Sequence, residues 1–386
     1  MLLYRYRPGS ELSMKELIYD ELFFASTSEC NDPYEGKTFA KLHGDKAVWD
    51  RLIRTALKSH PIKNFDYLIR NLVDYFTKKS PLYIDELMAI TASDISALGN
   101  DVYEKIIYPK LLDCIKQFIM LYIPTEQYFV SFSKEDNNML MWSHYANNHR
   151  GYCLVFRIAD RKLRQSPFWK HTTLSYDTPG GIFPRLSFQI EDSFLVQDIE
   201  YVSEPKYVDG LMCLPPYIIG STPTQDAIEK HRHDFGSIYL QKHSVWDYEK
   251  EVRVLLSSGM PWLAGKRLSL SPHQRLFHYD STQITGIIFG AKMPNSQRER
   301  VKEIIFEKEH RWHSNETKDV TVSDFVFFEE CLSESNRDVY IDPIEMLSFS
   351  TYTKKNDPTF EQKFQKWKDG WALHITESGG AMIQID

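Results

Sequence analysis

Two hydrophobic periodicities run along this chain, and together they predict a mixed fold. Short segments in which apolar residues alternate with polar ones, or which are wholly apolar, indicate β-strands. These segments are residues 2–7, 22–25, 128–133, 152–156, 199–202, 252–256, 284–289 and 320–328. Residues 44–121 differ, because their apolar residues recur at the spacing of one face of an amphipathic helix. We therefore predict a mixed α+β fold.

The change of period also predicts how the chain is divided. Residues 1–43 and 122–335 are expected to form one mixed α/β core domain, and residues 44–121 a helical insertion into it. Residues 336–386 are less periodic, and we expect this C-terminal extension to pack on the core through its tryptophans. Residues 165–190 are rich in Pro, Gly and Ser, which is typical of a long loop.

Composition narrows the class of protein. Hydrophobic residues make up 42% of the chain and charged residues 26%, as in ordinary globular proteins. The formal net charge of −7 argues against a protein that coats nucleic acid through charge alone, although it leaves room for a local basic groove. The 5 cysteines are scattered, so we expect neither a disulfide framework nor a zinc site. Without a long apolar segment or a secretory signal, the chain is expected to be cytoplasmic and not membrane-bound.

Two segments near the N-terminus carry candidate binding residues. Arg5 and Arg7 lie on one side of the first predicted strand, and paired guanidinium groups suit a phosphate or a carboxylate. The alternative is two solvated strand residues. The segment Asn31-Asp32-Pro33-Tyr34-Glu35 predicts a turn, which is either purely structural or places Asp32 or Glu35 at the rim of a pocket.

A third segment combines a strand end with the start of a helix. Ser131 and Ser133 belong to the predicted strand, and His144 and Tyr145 to the helix that follows, with His149 beyond it. The two histidines are five positions apart and therefore on different faces of a helix, so zinc is not expected. Each histidine is either a general base or a hydrogen-bond partner for a ribose, or a satisfied core residue.

The fourth segment is acidic and is flanked by aromatic residues. If it is a strand, Glu249, Glu251 and Arg253 share one face. Two neighbouring carboxylates in a low dielectric acquire different pKa values and can divide acid and base roles between them. Trp246 and Tyr248 would wall such a site. The alternative is an exposed edge strand rich in charge.

Taken together, the motifs resemble a bacterial family known as domain of unknown function 2971. The motifs are Tyr4-Arg5-Tyr6-Arg7, Asn31 to Glu35, Phe132-Ser133, Met141 to Ala146, His149-Arg150-Gly151, Trp246-x-Tyr248-Glu249-x-Glu251-x-Arg253 and Ile287-Ile288-Phe289-Gly290. The resemblance extends over about residues 1–330 and carries no established activity.

A second resemblance bears on function. ADP-ribosyltransferases of the Arg–Ser–Glu type carry an aromatic residue and Arg on the first core strand, Ser-x-Ser on a middle strand and Glu-x-Glu on a late one. The matching residues here are Tyr6-Arg7 (or Tyr4-Arg5), Ser131-Phe132-Ser133 and Glu249-Lys250-Glu251. The resemblance implies an ADP-ribosyltransferase-like split β-sheet core with a helical insertion, NAD as substrate, and no metal.

The second resemblance also implies a role for each residue. Glu251 would bind the ribose and face the positive charge that develops as the nicotinamide leaves, while Glu249 would orient or deprotonate the acceptor. Arg7 or Arg5 would hold the NAD phosphates, and Ser131 would hold the catalytic carboxylate. The residues expected to contact NAD are Arg5, Arg7, Ser131, Ser133, His144, Tyr145 and Trp246.

The resemblance further implies a transferase acting on an unknown protein or nucleic acid, or an NAD glycohydrolase if water is the acceptor. Its biological setting would be a bacterial toxin or anti-phage defence effector, with an antitoxin or a defence-system component as partner.

Two other functions remain open from the residues themselves. One is a Mg²⁺-dependent nuclease or phosphohydrolase with Asp32, Glu35, Glu249 and Glu251 as oxygen ligands. The other is a non-catalytic binding or sensor module in which these charges form a structural ion-pair network. The NAD hypothesis requires Arg7, Ser131 and Glu251 to converge on one cleft within about 10 Å.

Overall fold

The computed structural model describes residues 1–32, 34–35, 39–58, 65–123, 127–177, 185–256, 270–314, 319–333, 335, 337–376 and 379–385. The strands are β1 (Leu2–Arg7), β2 (Glu21–Phe23), β3 (Ala25–Ser26), β4 (Ala40–Leu42), β5 (Leu82–Tyr83), β6 (Tyr128–Ser133), β7 (Tyr152–Arg157), β8 (Lys162–Arg164), β9 (Thr173–Asp177), β10 (Arg185–Gln189), β11 (Ser193–Asp198), β12 (Glu200–Val202), β13 (Val208–Asp209), β14 (Gln241–His243), β15 (Glu251–Leu256), β16 (Leu276–His278), β17 (Ile284–Phe289), β18 (Asp319–Val322), β19 (Phe325–Leu332), β20 (Val339–Ser348), β21 (Thr351–Lys354), β22 (Trp371–Thr376) and β23 (Gly379–Gln384).

The helices are α1 (Glu11–Tyr19), α2 (Lys46–Leu57), α3 (Phe65–Lys79), α4 (Ile84–Ala89), α5 (Ala92–Ser96), α6 (Val102–Tyr122), α7 (Met139–Tyr145), α8 (Pro216–Ile219), α9 (Gln225–Ser237), α10 (Asn295–Ser314) and α11 (Phe360–Lys368). The predicted mixed α+β class is confirmed. Among the described helices, none combines the length and the apolar composition needed to cross a bilayer.

An 11-stranded sheet organises the fold. Its strand order is β21–β20–β19–β17–β7–β1–β6–β15–β11–β8, with β3 also paired to β6. Its central strands β7 and β17 are buried along almost their whole length, as expected of almost wholly apolar segments. Alternation along β7 divides the core between the two faces of the sheet, with Leu154 and Phe156 in one hydrophobic cluster and Cys153 and Val155 in the other.

The sheet splits between β1 and β6. Strand β1 pairs with β7 along six residues but with β6 at a single position, Tyr4 opposite Ser133. Further along β6, the short strand β3 takes the place of β1, with Ala25 opposite Phe129. Because β1 and β6 separate after one pair, a cleft opens between the C-terminal half of β1 and the middle of β6.

Helices α2 to α6 lie on the residues predicted to be a helical insertion, and they have a hydrophobic cluster of their own. Trp49 and Phe76 stack at its centre, with ring centroids 5.0 Å apart. Residues from much later in the chain complete the cluster, among them Leu211, Leu214 and Ile218. The helices are therefore held in part by a later segment that the helical pattern did not include.

The C-terminal residues extend the main sheet as well as packing on it. Strands β20 and β21 add to one edge of the sheet, whereas β22 and β23 form a separate sheet with β18. Helix α11 covers the sheet through Trp367, whose Nε1 donates to the Thr285 hydroxyl at 2.6 Å. Such a buried indole needs an acceptor, and Thr285 in β17 supplies it.

Two secondary-structure expectations were wrong in detail. Residues 320–328 form two strands in different sheets, β18 and β19, because polar Ser323 and Asp324 interrupt the apolar run. Residues 165–190 include the paired strands β9 and β10. Apart from Pro167, the Pro and Gly residues that favoured a loop lie between 179 and 184, outside the described residues.

Candidate functional site

A cavity of about 720 Å³ lies at the split between β1 and β6. Nine residues that the sequence analysis assigned to NAD binding or to catalysis line it. They are Arg5, Arg7, Ser131, Ser133, His144, Tyr145, Trp246, Glu249 and Glu251. Segments more than a hundred residues apart thus meet at one place, although this placement alone assigns no role to any of them.

The register of β6 and β15 places Glu251 on the same face as both serines. Glu251 lies opposite Ser133, and Arg253 lies opposite Ser131. The Ser131 hydroxyl donates to Glu251 Oε1 at 2.5 Å. Arg253 donates to both carboxylate oxygens, from Nε at 2.7 Å and from Nη2 at 3.1 Å. Glu251 is therefore fixed from two strands.

Glu249 reaches the cavity from a turn, so the expectation that it belongs to one strand with Glu251 was wrong. Residues 244–249 form a 3₁₀ turn, and Lys250 then adopts a left-handed conformation with φ of 45°. This turn directs both carboxylates into the same cavity. The Tyr145 hydroxyl donates to Glu249 Oε1 at 2.5 Å, and the Ser133 hydroxyl donates to the Glu249 carbonyl at 2.8 Å.

Helix α7 is positioned to deliver Tyr145. Its N-cap Asn138 accepts from the backbone N–H groups of the first turn and donates from Nδ2 to the Tyr248 carbonyl at 2.8 Å. The indole of Trp142, fully buried beneath the helix, donates to the Asp136 carbonyl at 2.8 Å. The helix is thus tied directly to the turn that carries Glu249.

Lys242 is the residue that the sequence did not reveal. Its Nζ donates to Glu249 Oε2 at 2.5 Å and to Glu251 Oε2 at 3.0 Å, so one ammonium bridges both carboxylates. The pattern of residues 227–242 predicts a helix that includes Lys242. This prediction was wrong at its C-terminal end, because α9 ends at Ser237 and Lys242 lies in β14. A lysine seven residues before Glu249 gives no local signal of this contact.

The acidic network continues to Glu35. Arg253, which is 2% exposed, pairs with Glu35 as well as Glu251, donates to the Tyr239 carbonyl at 2.8 Å and lies over the Phe129 ring. The Glu35 side chain is 4% exposed, and it is therefore an internal partner as well as a residue of the cavity lining. The described contacts thus bring together three carboxylates and two cations.

The rest of the Asn31–Glu35 segment behaves as a structural turn. Asp32 Oδ1 accepts from the Tyr34 backbone N–H at 2.9 Å, an Asx-type arrangement that stabilises a turn. Asn31 Nδ2 donates to the Tyr145 hydroxyl at 3.0 Å. Pro33, which completed the sequence motif, lies outside the described residues.

Burial sets the electrostatics of the network. It raises the pKa of Glu251, against the opposing effects of Lys242 and of the Ser131 hydrogen bond. Burial by itself would lower the pKa of Lys242, but the carboxylates of Glu251 and Glu249 raise that pKa above its ordinary value. Burial also raises the pKa of Tyr145, and its contact with Glu249 adds to the rise. Lys242 therefore stays charged, whereas burial disfavours the ionised form of Glu251.

The two arginines of β1 have different partners. Arg7 forms an ion pair with Glu16 of α1. Within the described residues, Arg5 makes one hydrogen bond, from Nη1 to the Ser131 carbonyl at 3.3 Å. Burial, followed by the nearby charge of Arg7, lowers the pKa of Arg5 to about 10. Arg5 thus retains N–H groups that could donate hydrogen bonds to an anion in the cavity.

Aromatic rings also line the cavity and form one of its walls. The ring centroids of Trp246 and Tyr248 are 6.0 Å apart and tilted by 37°, and His144 lies 6.5 Å from Tyr248. Lys242 Nζ is 5.1 Å from the Trp246 ring centroid. A planar ligand could lie against this wall while an anionic group reached Arg5.

His149 is a buried structural histidine and is not among the residues that line this cavity. Its Nδ1 is 2.6 Å from Glu330 Oε1, and its Nε2 is 3.2 Å from the Ser143 hydroxyl. It also has a positive φ of 67°. These contacts fix the loop after α7 against β19, which is the core role that the sequence left open.

The comparisons with known proteins bear on part of the chain. Residues 141–254 match the model of a family described as protein of unknown function (DUF2971). The resemblance to this family is confirmed over these residues. The matched segment contains Tyr145, Lys242, Glu249 and Glu251, whereas Arg5 lies outside it. Searches of curated proteins and of solved structures found no match, so the resemblance to ADP-ribosyltransferases has no support from these comparisons.

Proposed function

We propose that this chain is an NAD-consuming enzyme with ADP-ribosyltransferase-like chemistry on a split-sheet core. The observation that carries the proposal is a chain of contacts across three neighbouring strands. Arg5 donates to the Ser131 carbonyl, and the Ser131 hydroxyl donates to Glu251. One serine therefore joins the candidate phosphate-binding residue to the candidate catalytic carboxylate.

The reaction would break the bond between nicotinamide and ribose. Its electron pair leaves with the nicotinamide, and positive charge develops on the ribose ring, as in glycoside cleavage. Glu251 supplies negative charge next to that ring, and a buried carboxylate is more effective there than one in water. The aromatic wall of Trp246 and Tyr248 would receive the nicotinamide, and Arg5 would bind the phosphates because Arg7 is already paired with Glu16.

Glu249 would act on the acceptor. The acceptor oxygen or nitrogen bonds to the ribose carbon, and its proton passes to Glu249. Tyr145 donates to the same carboxylate and would orient it. If water is the acceptor the enzyme is a glycohydrolase, and if it is a protein or nucleic acid the enzyme is a transferase.

The contacts of the carboxylates favour this chemistry over a Mg²⁺-dependent one. Glu249 and Glu251 both direct an oxygen at the Lys242 ammonium, and Glu35 pairs with Arg253. A Mg²⁺ ion bound by these carboxylates would have to displace two buried cations. Asp32, the fourth ligand considered, accepts from the backbone of its own turn.

A second candidate is nucleotide binding without cleavage. It is favoured by the carboxylate of Glu251, which accepts from Ser131, from Lys242 and twice from Arg253. A carboxylate offers about four accepting positions, so the protein itself satisfies Glu251. Under this alternative, Glu251 maintains the shape of a cavity that binds NAD or a similar nucleotide.

The test is nicotinamide release from NAD, with water, protein and nucleic acid as acceptors and with EDTA present. We expect the wild type to release nicotinamide and Glu251→Gln to abolish release while its circular dichroism is unchanged. Glu200→Gln is the matched control, because Glu200 is an exposed partner of Lys206. Calorimetry with NAD separates the alternatives. Binding without release would indicate the binding module, and neither binding nor release would refute the proposal.

The same proposal gives the biological setting. The reaction would take place in the cytoplasm, as the action of a toxin or anti-phage effector restrained by an antitoxin or another defence component. Co-purification of this chain with its neighbours in the genome, followed by the nicotinamide assay, would identify a partner that suppresses activity.

A further inference from the structure

Lys242 has no role in the reaction described above, yet it lies at the centre of the site. Its side chain is 5% exposed, and its ammonium contacts Glu249 and Glu251 at once. We propose that Lys242 is a positioning residue that holds the side chains of Glu249 and Glu251 next to each other and keeps Glu251 ionised, so that each can perform its own step. This inference rests on the proposed function for its purpose, but not for its test.

The balance of charge explains why this position needs a cation. Arg253 is shared between Glu251 and Glu35. If Lys242 were neutral, a single buried cation would face three carboxylates, and two of them would repel each other in a low dielectric. Proton uptake by one carboxylate would relieve this repulsion, and that carboxylate would no longer act as an anion or a base.

The local fold holds Lys242 and Glu251 in register. Strand β14 pairs with β12 in parallel, with Lys242 opposite Tyr201. The Tyr201 hydroxyl in turn accepts from the Glu251 backbone N–H at 2.7 Å. Because the same small sheet contacts both residues, the lysine is placed by the backbone and does not depend on a bound ligand.

A lysine suits the position better than an arginine. Its compact ammonium directs separate N–H donors at two carboxylates that approach from different elements, whereas a planar guanidinium binds one carboxylate with two donors. The charged and titratable groups that surround the ammonium come from every neighbouring element. They are Cys30, Glu35, Tyr145, Tyr201, Tyr248, Glu249, Glu251 and Arg253.

The test compares Lys242→Met with Lys250→Met. Lys250 is a matched control, because it is partly exposed and pairs with Asp247. Carboxylate ¹³C NMR, with Glu251→Gln for assignment, follows the titration of Glu251 without any substrate. We expect Lys242→Met to raise the midpoint of that titration by about one pH unit or more, and Lys250→Met to leave it unchanged. Equal midpoints in wild type and Lys242→Met would overturn the proposal.

Two further measurements keep the test decisive. If the wild type cleaves NAD, the acid limb of its pH–rate profile should move upward in Lys242→Met by the same amount as the Glu251 titration. If it does not cleave NAD, the proposed function fails while the titration still decides the role of Lys242. Should Lys242→Met not fold, ¹⁵N NMR of wild-type Lys242 replaces it. A protonated, slowly exchanging Nζ at pH 9 supports the proposal, and rapid exchange of the kind seen for surface lysines contradicts it.

Discussion

Replacing Arg253 with Met is predicted to cost a large part of the stability of the fold. Arg253 is buried, donates to Glu251 and to the Tyr239 carbonyl, and pairs with Glu35. Methionine would retain much of the apolar contact with the Phe129 ring but would leave the three carboxylates of Glu35, Glu249 and Glu251 with Lys242 as their one buried cation among the described contacts. Removing one partner of a buried ion pair costs about 3–5 kcal/mol, which is a large share of the roughly 5–15 kcal/mol that stabilises a typical domain.

The stability lost in Arg253→Met should depend on pH, and the direction of this dependence follows from the pKa of Glu251. Burial already raises the pKa of Glu251 in the folded protein, and removal of Arg253 raises it further above its value in the unfolded chain. A carboxyl group with a raised folded pKa destabilises the fold at pH values above that pKa and ceases to do so below its unfolded pKa. We therefore expect the loss to be largest near neutral pH and to shrink as the pH falls towards about 5.

Urea unfolding followed by tryptophan fluorescence measures this loss at pH 7.5 and pH 5. Arg300→Met is the control, because Arg300 pairs with Glu11 at the surface, and we expect it to change stability little. A loss below about 1 kcal/mol for Arg253→Met, or one that is equal at both pH values, would refute the reasoning from the buried network.

Three further predictions concern binding, backbone approach and the C-terminal helix. Arg5→Gln should weaken NAD binding by about 10- to 100-fold, whereas Arg7→Gln breaks the pair with Glu16 and should mainly lower stability. Calorimetry with NAD measures the first effect and urea unfolding the second. Equal losses of affinity in the two variants would contradict the assignment of Arg5 as the phosphate-binding residue. Gly151→Ala places a Cβ 2.0 Å from the Arg7 carbonyl and should destabilise the protein by about 1–3 kcal/mol or more. In Gly236→Ala, in α9, the added Cβ meets no atom within 4 Å, and the change should stabilise the protein by about 0.5–1 kcal/mol. Urea midpoints that shift in the same direction for both variants would disprove this reasoning about backbone approach. Trp367→Phe loses the donor to Thr285 and should cost about 1–3 kcal/mol, and an unchanged midpoint would show that this contact is not needed.

Local pattern was sufficient where a short segment determines its own structure. The strand at Ile284–Phe289 is wholly buried because every residue but one is apolar or small. The order of the short motifs also led to the selection of candidate residues that line one cavity. In each case the prediction needed only neighbours in sequence or a shared order along the chain.

Contacts between distant elements could not be predicted in this way. The bridge from Lys242 to Glu249 and Glu251 depends on α9 ending five residues earlier than its pattern suggested. The conformation of Lys250 moves Glu249 out of the strand, and no property of the side chain signals a positive φ. Likewise, nothing in Arg253 indicated that Glu35 would be its second partner.

The shared helical cluster has a consequence for the order in which the chain can fold during synthesis. Helices α2 to α6 leave the ribosome long before Leu211, Leu214 and Ile218, which close their hydrophobic cluster. Until those residues emerge, an apolar surface that the finished protein buries is open to solvent and to chaperones. Residues 124–207, which include β6 and β7, are therefore synthesised while the helical cluster still lacks Leu211, Leu214 and Ile218. Premature termination before Leu211 would leave both the helical cluster and the cavity incomplete.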